Sequence, residues 1–250
     1  MHVVVTGASS GIGEAVAREY FARGAKVTLV ARRRELLERI ASAGASRAHV
    51  VAADLSDVDA AWAWLDEAER ALGPIDVLVN NAGIQIVKHA EDTDWSEAER
   101  LLRLDLHAPL RLTTLLLRRM IPRKTGTIVD ISSMAALAPT PGMFFYNAAK
   151  AGLAAASEGL RGEVKPHGIH VVTVYPGPVT TELEAKGRAA YDGGAAAKVP
   201  AGSPEVLARM IADAVEKKRP RVIYPRFYGL ARHFPNMTRW AMDAFTPPLK

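Results

Sequence analysis

The chain is 250 residues long, 49% hydrophobic, free of cysteine, and carries a formal net charge of +5. That length suits one α/β core, while the absence of cysteine excludes disulfides and thiolate metal sites, and no metal is expected. Cations scattered among acids read as a solvated surface that could meet an anionic cofactor but not nucleic acid, and no apolar run reaches the ~18 residues of a membrane-spanning helix, so a soluble, cytoplasmic protein without a signal peptide is expected.

Residues 2–6 (HVVVT) are a β-branched run suited to a buried parallel strand. The stretch Gly7-Ala8-Ser9-Ser10-Gly11-Ile12-Gly13 then opens a helix, GEAVAREYFARG. Its glycines allow positive φ and close backbone approach, and the free amides and dipole of the helix start favour a phosphate. Residues 26–31 (KVTLVA) give a second strand, followed by Arg32-Arg33-Arg34. A dinucleotide fold puts an acid here for a ribose 2′-hydroxyl or a cation for a 2′-phosphate. No acid is present, so Arg32 and Arg33 favour NADP(H) over NAD(H). The run HVVAADL predicts a third strand ending at Asp54-Leu55, with a helix near 57–72. IDVLVNNAGI gives a fourth strand and the turn Asn80-Asn81-Ala82-Gly83, small enough for close packing against a cofactor.

The segment 94–121 has helical spacing at Trp95, Ala98, Leu101, Leu102 and Asp105, with Pro109 as a kink. TIVDIS is a fifth strand that leaves Ser133 at its carboxyl end, where open α/β sheets place their ligands. Tyr146 and Lys150 lie at i and i+4, so a helix opening at YNAAK projects phenol and ammonium from one face, one turn apart. The cation is expected to lower the phenol's pKa from its ordinary value near 10, moving Tyr146 toward acid–base work. The Ser133 hydroxyl can hold a substrate carbonyl oxygen. IHVVTVYP is a sixth strand running into Pro176-Gly177. Residues 182–203, rich in Ala and Gly, read as a substrate lid, before a helix at 204–217 and a closing strand, RVIYP. The tail, residues 226–250, mixes aromatics with arginines between proline breakers. Such a segment fits docking against the body, a substrate pocket, a neighbouring subunit or a membrane surface.

The glycine pattern TGxxxGxG at Thr6, Gly7, Gly11 and Gly13, the asparagine turn, and the spacing from Ser133 through Tyr146 to Lys150 resemble the short-chain dehydrogenase/reductase family over nearly the whole chain. The resemblance implies a Rossmann-type, doubly wound α/β fold, with a mainly parallel seven-stranded sheet in a single domain over residues 1–250. It implies cofactor contacts from Gly7, Ser9, Ser10, Gly11, Ile12 and Gly13, and from Asp54, beside Leu55, to the adenine amino group. Asn81, Ala82 and Gly83 would line the adenine ribose, and Pro176, Gly177, Val179 and Thr181 (PGxxxT) the nicotinamide. Ala31 stands where NAD-preferring relatives carry Asp. In reduction, hydride would reach the carbonyl carbon while Tyr146 donates the proton and Ser133 stabilises the oxygen. Lys150 would lower the Tyr146 pKa and, with Tyr146, hold the nicotinamide ribose. The implied function is NADP(H)-dependent reduction of a small-molecule carbonyl, or oxidation of a secondary alcohol, in a homodimer or homotetramer. Leu137, Met143, Phe144 and Phe145 favour an apolar ketone. The alternatives are an NAD-linked alcohol dehydrogenase and a nucleotide-sensing or scaffold protein that kept the fold without turnover. The chain departs from the family at one position. The family's tetrad asparagine, in N-L-x-G, aligns with Asp105-Leu106-His107-Ala108, so Asp105 is a substituted proton path, the mark of a weaker catalyst, or a plain surface acid.

Overall fold

The computed structural model describes residues 1–57, 62–192 and 200–249. Strands β1 (His2–Thr6), β2 (Lys26–Ala31), β3 (Ala48–Ala52), β4 (Val77–Asn80), β5 (Gly126–Ile131), β6 (Ile169–Pro176) and β7 (Arg221–Tyr224) form a seven-stranded sheet in the order β3-β2-β1-β4-β5-β6-β7. Every neighbouring pair is parallel. The helices are α1 (Gly11–Ala22), α2 (Arg34–Ala41), α3 (Trp64–Leu72), α4 (Trp95–Leu102), α5 (Ala108–Arg123), α6 (Phe144–Val164), α7 (Glu182–Ala189), α8 (Pro204–Glu216), α9 (Leu230–His233) and α10 (Pro235–Phe245).

A strand covered on both faces must bury every position, and β1 does so with an apolar centre, Val3–Val5, between His2 and Thr6, whose polar atoms are hydrogen-bonded internally. Its side chains alternate between two cores. Val3 and Val5 join Tyr20, Phe21, Leu37 and Leu207 under α1, α2 and α8. Val4 joins Trp64, Leu65, Leu112 and Met120 under α3 and α5. The chain winds outward from β1 through β2 to β3, then crosses back to β4 and winds the other way to β7. Loops leaving β1 and β4 therefore diverge at a topological switch point, the place where such sheets open a ligand crevice.

Three stretches differ from expectation. Strand β3 stops at Ala52, so Asp54 and Leu55 belong to the turn beyond it. The helix expected near 57–72 begins at Trp64 as α3, with residues 58–61 outside those described. The segment 94–121 is two helices joined by a π-helical turn at Arg103–His107, so the break precedes Pro109. Pro109 lies in the first turn of α5, where a missing N–H disturbs no helical bond.

The segment read as a lid contains α7, capped by Thr181, whose Oγ1 accepts the Glu184 amide at 3.2 Å. Ion pairs Glu182–Lys186 and Glu184–Arg188 at i,i+4 support it. Residues 193–199 of that segment lie outside those described. Among the described residues no helix is long and apolar enough to cross a membrane.

Candidate active site

At the switch point two loops are bonded into one unit. Thr6 Oγ1 donates to Val79 O (3.2 Å) and accepts the amides of Asn81 (3.0 Å) and Ala82 (3.1 Å). The Asn81 side chain in turn donates from Nδ2 to Thr6 O at 2.9 Å and Gly7 O at 3.2 Å. Gly7 has φ +64°, and a Cβ on Gly13 would stand 2.3 Å from Gly7 O, so glycine is required at both for α1 to begin this close to β1. Arg33 folds back over the loop, donating to Ser9 Oγ at 3.1 Å and Ser10 Oγ at 3.2 Å. Beside it Arg32 lies 3.9 Å and Arg100 of α4 3.6 Å from Asp54. Burial works to raise the Asp54 pKa, but bonds from Ser56 and the two guanidiniums hold it below the ordinary carboxyl value. Leu55 is buried next to it, and Ile12 packs on the core.

The second half of the crevice comes from β5, α6 and the π-helical turn. Beyond β5, Ser133 caps a short 3-10 turn, its Oγ accepting the Ala135 amide at 3.1 Å. Ser132 Oγ donates to Lys150 O at 2.8 Å and ties the strand end to α6. The inward face of α6 carries Tyr146, Ala149, Lys150, Leu153 and Ala154, so one apolar stripe holds both polar side chains. Lys150 Nζ donates to Ile131 O at 3.2 Å, lies 3.1 Å from Asp105 Oδ2, and stands 5.7 Å from the centre of the Tyr146 ring. The Tyr146 phenol is buried on the same face, with Ser133 among the groups that act on it.

Asp105 is not a surface acid: it is fully buried and its Oδ1 accepts the Ile84 amide at 2.8 Å. A Cβ on Gly83 would lie 2.6 Å from Asp105 Oδ2, so the last residue of the asparagine turn must be small. The extra residue of the π-helical turn lets an acid in the middle of a helical run reach the interior.

The electrostatics correct one expectation. Lys150 does pull the Tyr146 pKa down, but burial pushes it up more strongly and Asp105 adds to the rise, so the phenol stays above its ordinary value. Lys150 itself is raised: burial disfavours its charge, but Asp105 and then Tyr146 outweigh that. Burial also holds Asp105 above the usual carboxyl range against the pull of Lys150 and the Ile84 amide.

The loop after β6 meets the glycine loop. Pro176 ends the strand, and a Cβ on Gly177 would stand 2.8 Å from the Tyr228 ring. Val179 is buried and bridges to Gly202, and the Thr181 methyl lies 3.1 Å from the position of a Cβ on Gly11. Leu137, Met143 and Phe145 are half-buried near Tyr146, whereas Phe144 is 64% exposed and stacks edge-on against Phe145. Helix α7 packs over this region. Its Gly187 leaves room for Gln85, whose amide lies 3.5 Å from Met143 Sδ, and Tyr191 donates to Pro141 O at 2.8 Å.

Sequence reasoning missed Asp130, which is buried in β5 and accepts from Asn80 Nδ2 at 2.8 Å. Asn80 also donates to Thr113 Oγ1 at 3.1 Å. Burial pushes the Asp130 pKa up to about 6, against the bonds from Asn80 and Ser157. An acid inside the apolar run TIVDIS was the available signal.

Fold and site together define an oxidoreductase of the doubly wound α/β class that works with a nicotinamide dinucleotide. The family described as short chain dehydrogenase matches residues 1–192, and the chain belongs to it. A fatty acyl-CoA reductase of Mycobacterium tuberculosis is 36% identical over 230 residues, covering 90% of this chain and 76% of that one. A fatty acyl-CoA reductase of Acinetobacter baylyi is 35% identical over 224 residues, covering 88% and 74%. Among solved structures, a short-chain dehydrogenase from Sphingobium yanoikuyae in complex with NADPH superposes with a TM-score of 0.82 at 29% identity, covering 97% of this chain and 95% of that one. A 3-ketoacyl-(acyl-carrier-protein) reductase from Brucella melitensis complexed with NADH gives 0.78 at 28%, covering 89% and 96%.

Proposed function

We propose that the protein reduces a carbonyl group on an apolar small molecule with NADPH, and that Tyr146 donates the proton. The observation that carries this reading is a buried Lys150 held 3.1 Å from Asp105 and 5.7 Å from the Tyr146 ring, in the crevice that the glycine loop also borders.

The residues present fit the cofactor. Gly7 and Gly13, where a Cβ would stand 2.8 Å from Ala82 and 2.3 Å from Gly7 O, keep the loop tight at the amide-rich start of α1, where a pyrophosphate is favoured. Arg33 with Ser9 and Ser10, beside Arg32 and without an acid at Ala31, suits a 2′-phosphate, because a guanidinium fork matches phosphate oxygens. Asp54 and Leu55 would hold the adenine, Asn81, Ala82 and Gly83 the ribose, and Pro176, Gly177, Val179 and Thr181 the nicotinamide end. When bound, NADPH supplies the hydride that the carbonyl carbon receives.

The chain's own groups handle the oxygen and the proton. Ser133 O–H and Tyr146 O–H both point hydrogen at the carbonyl oxygen, where negative charge develops. A phenol raised by burial keeps its proton at neutral pH, which suits a donor in reduction better than a base in oxidation. Lys150, kept charged by Asp105, favours the phenolate left behind once that proton has moved. Helix α7 acts as a lid, excluding water over Met143 and Phe145. These apolar side chains, and relatives that act on fatty acyl-CoA, favour a carbonyl carried on an acyl chain.

The test compares NADPH and NADH binding in wild type and Arg33→Ser, alongside NADPH consumption with ketones, aldehydes and acyl thioesters. A charge-assisted bond contributes roughly 1.5–3 kcal/mol, and about 1.4 kcal/mol is tenfold, so NADPH affinity should fall at least about tenfold while NADH affinity stays. Equal NADPH affinity in both proteins would remove Arg33 from the phosphate site. No turnover with any carbonyl would sink the reductase reading.

A further inference from the structure

The C-terminal helices face the wrong way for a segment that meets only water. Along the turn Arg226–Gly229 and helices α9 and α10, Ala231, Thr238, Ala241 and Met242 are partly covered. The large side chains Phe227, Leu230, Phe234, Met237, Trp240 and Phe245 are instead 51–63% exposed. A surface helix ordinarily turns its large apolar residues inward, and a clustered apolar surface marks an interaction site.

The segment is bonded to the body in that orientation. Arg239 donates to Pro139 O at 2.9 Å, the Asp192 amide donates to Pro248 O at 3.0 Å, and Arg232 lies 3.5 Å from Glu158. Leu249 packs at Gly142 and pairs with Tyr191 just beyond α7. On the outer face Trp240 and Phe245 meet edge-on at 5.8 Å.

Charge selects the occupant. From residue 226 to 249 the sequence carries Arg226, Arg232 and Arg239 against Asp243 alone, and beneath them Arg161, Arg221 and Arg232 converge on the single acid Glu158. Arg239 is paired with Asp243 and Arg232 faces Glu158, yet the balance remains basic. A second copy meeting this face across a two-fold axis would set like charges together, whereas an anionic bilayer supplies the opposite sign and accepts Trp and Phe at headgroup depth. We propose that this face seats the protein on an anionic lipid surface, with Phe227, Phe234 and Trp240 entering the headgroup layer. Docking is independent of the reaction proposed above. Its use in taking up an apolar substrate through the lid that Leu249 touches rests on that reading.

The experiment mixes the full chain with vesicles of phosphatidylcholine alone, or of phosphatidylcholine with phosphatidylglycerol, and sediments them. Wild type should pellet with the anionic vesicles, release as salt rises, and show a blue-shifted tryptophan emission that Trp240→Phe abolishes without loss of binding. Burying each aromatic is worth enough that Phe234→Ser with Trp240→Ser should weaken binding at least about tenfold, with circular dichroism and NADPH affinity unchanged. If that pair does not fold, Trp240→Ser alone gives the same reading at smaller size. Failure of wild type to bind anionic vesicles, or binding that the serine variants leave intact, overturns the proposal. A lipid-free dimer that the same substitutions dissociate would assign the face to a second copy instead.

Discussion

Two neighbouring charges act on Tyr146 in opposite directions: Lys150 favours the phenolate, and Asp105, 3.1 Å from Lys150, opposes it. The sequence left Asp105 between a substituted proton path and a surface acid, and its direct contact with Lys150 places it in the electrostatics of the site. Asp105 raises the pKa of both Tyr146 and Lys150, so Asp105→Asn should lower both. In alcohol oxidation the deprotonated phenol is the active form, and the rate climbs as pH rises through the Tyr146 pKa. The climb should therefore begin at lower pH in Asp105→Asn. The measurement is kcat against pH on the alkaline side of neutral, with a deuterated alcohol confirming that hydride transfer limits the rate. Superimposable profiles would remove Asp105 from the electrostatics of the site. None of this was legible in the sequence beyond the departure itself. The spacing of Tyr146 and Lys150 gives their shared face, but burial, which reverses the expected direction of the phenol shift, depends on what α4, α5 and the asparagine turn stack against them.

Strand β5 carries a comparable buried charge that the proposed reaction does not use. Asp130 joins β5 to β4 through Asn80, with Ser157 of α6 also favouring its charged form, and burial raises its pKa from 3.8 to about 6. A carboxyl raised on folding lends stability that is full below the unfolded pKa of 3.8 and is lost as pH climbs to about 6. Asp130→Asn keeps the acceptor for Asn80 and adds a donor for Ser157. It should leave stability near pH 7.5 unchanged or raise it by about 1–3 kcal/mol, and lose that advantage near pH 4, as read from denaturant melts. A variant much less stable at pH 7.5 would mean that the charge itself holds β4, β5 and α6 together. The strands were the readable part of the chain: HVVVT and KVTLVA are short runs rich in β-branched residues, as burial on both faces favours. The break in 94–121 was not readable, because the π-helical turn answers the need to bring Asp105 to Lys150 and Ile84 rather than any local preference.

Across the molecule, one acid fastens the tail to the catalytic helix. Glu158 of α6 pairs with Arg161, Arg221 and Arg232 and accepts the Tyr175 hydroxyl at 3.0 Å. Burial works to raise its pKa, but these partners hold it at about 2. Glu158→Gln should loosen α9 from α6 and speed tryptic cleavage at Arg226 or Arg232 several-fold, while the sheet and the NADPH affinity remain. An unchanged cleavage rate would assign the anchoring of the tail to Arg239 and Leu249 alone. The charge on each side chain was visible in the sequence, but its partner, 63 residues distant in the case of Arg221, required the parallel wind of the sheet. In the proposed reaction this wind brings a reducing cofactor to Tyr146, which gives up its proton. The most direct measurement is kcat for NADPH-dependent carbonyl reduction by Tyr146→Phe, beside its NADPH dissociation constant. Positioned proton transfer is typically worth 10²–10⁴-fold, so kcat should fall at least about a hundredfold with the dissociation constant nearly unchanged. Retention of more than about a tenth of wild-type kcat would contradict the account and require a different acid.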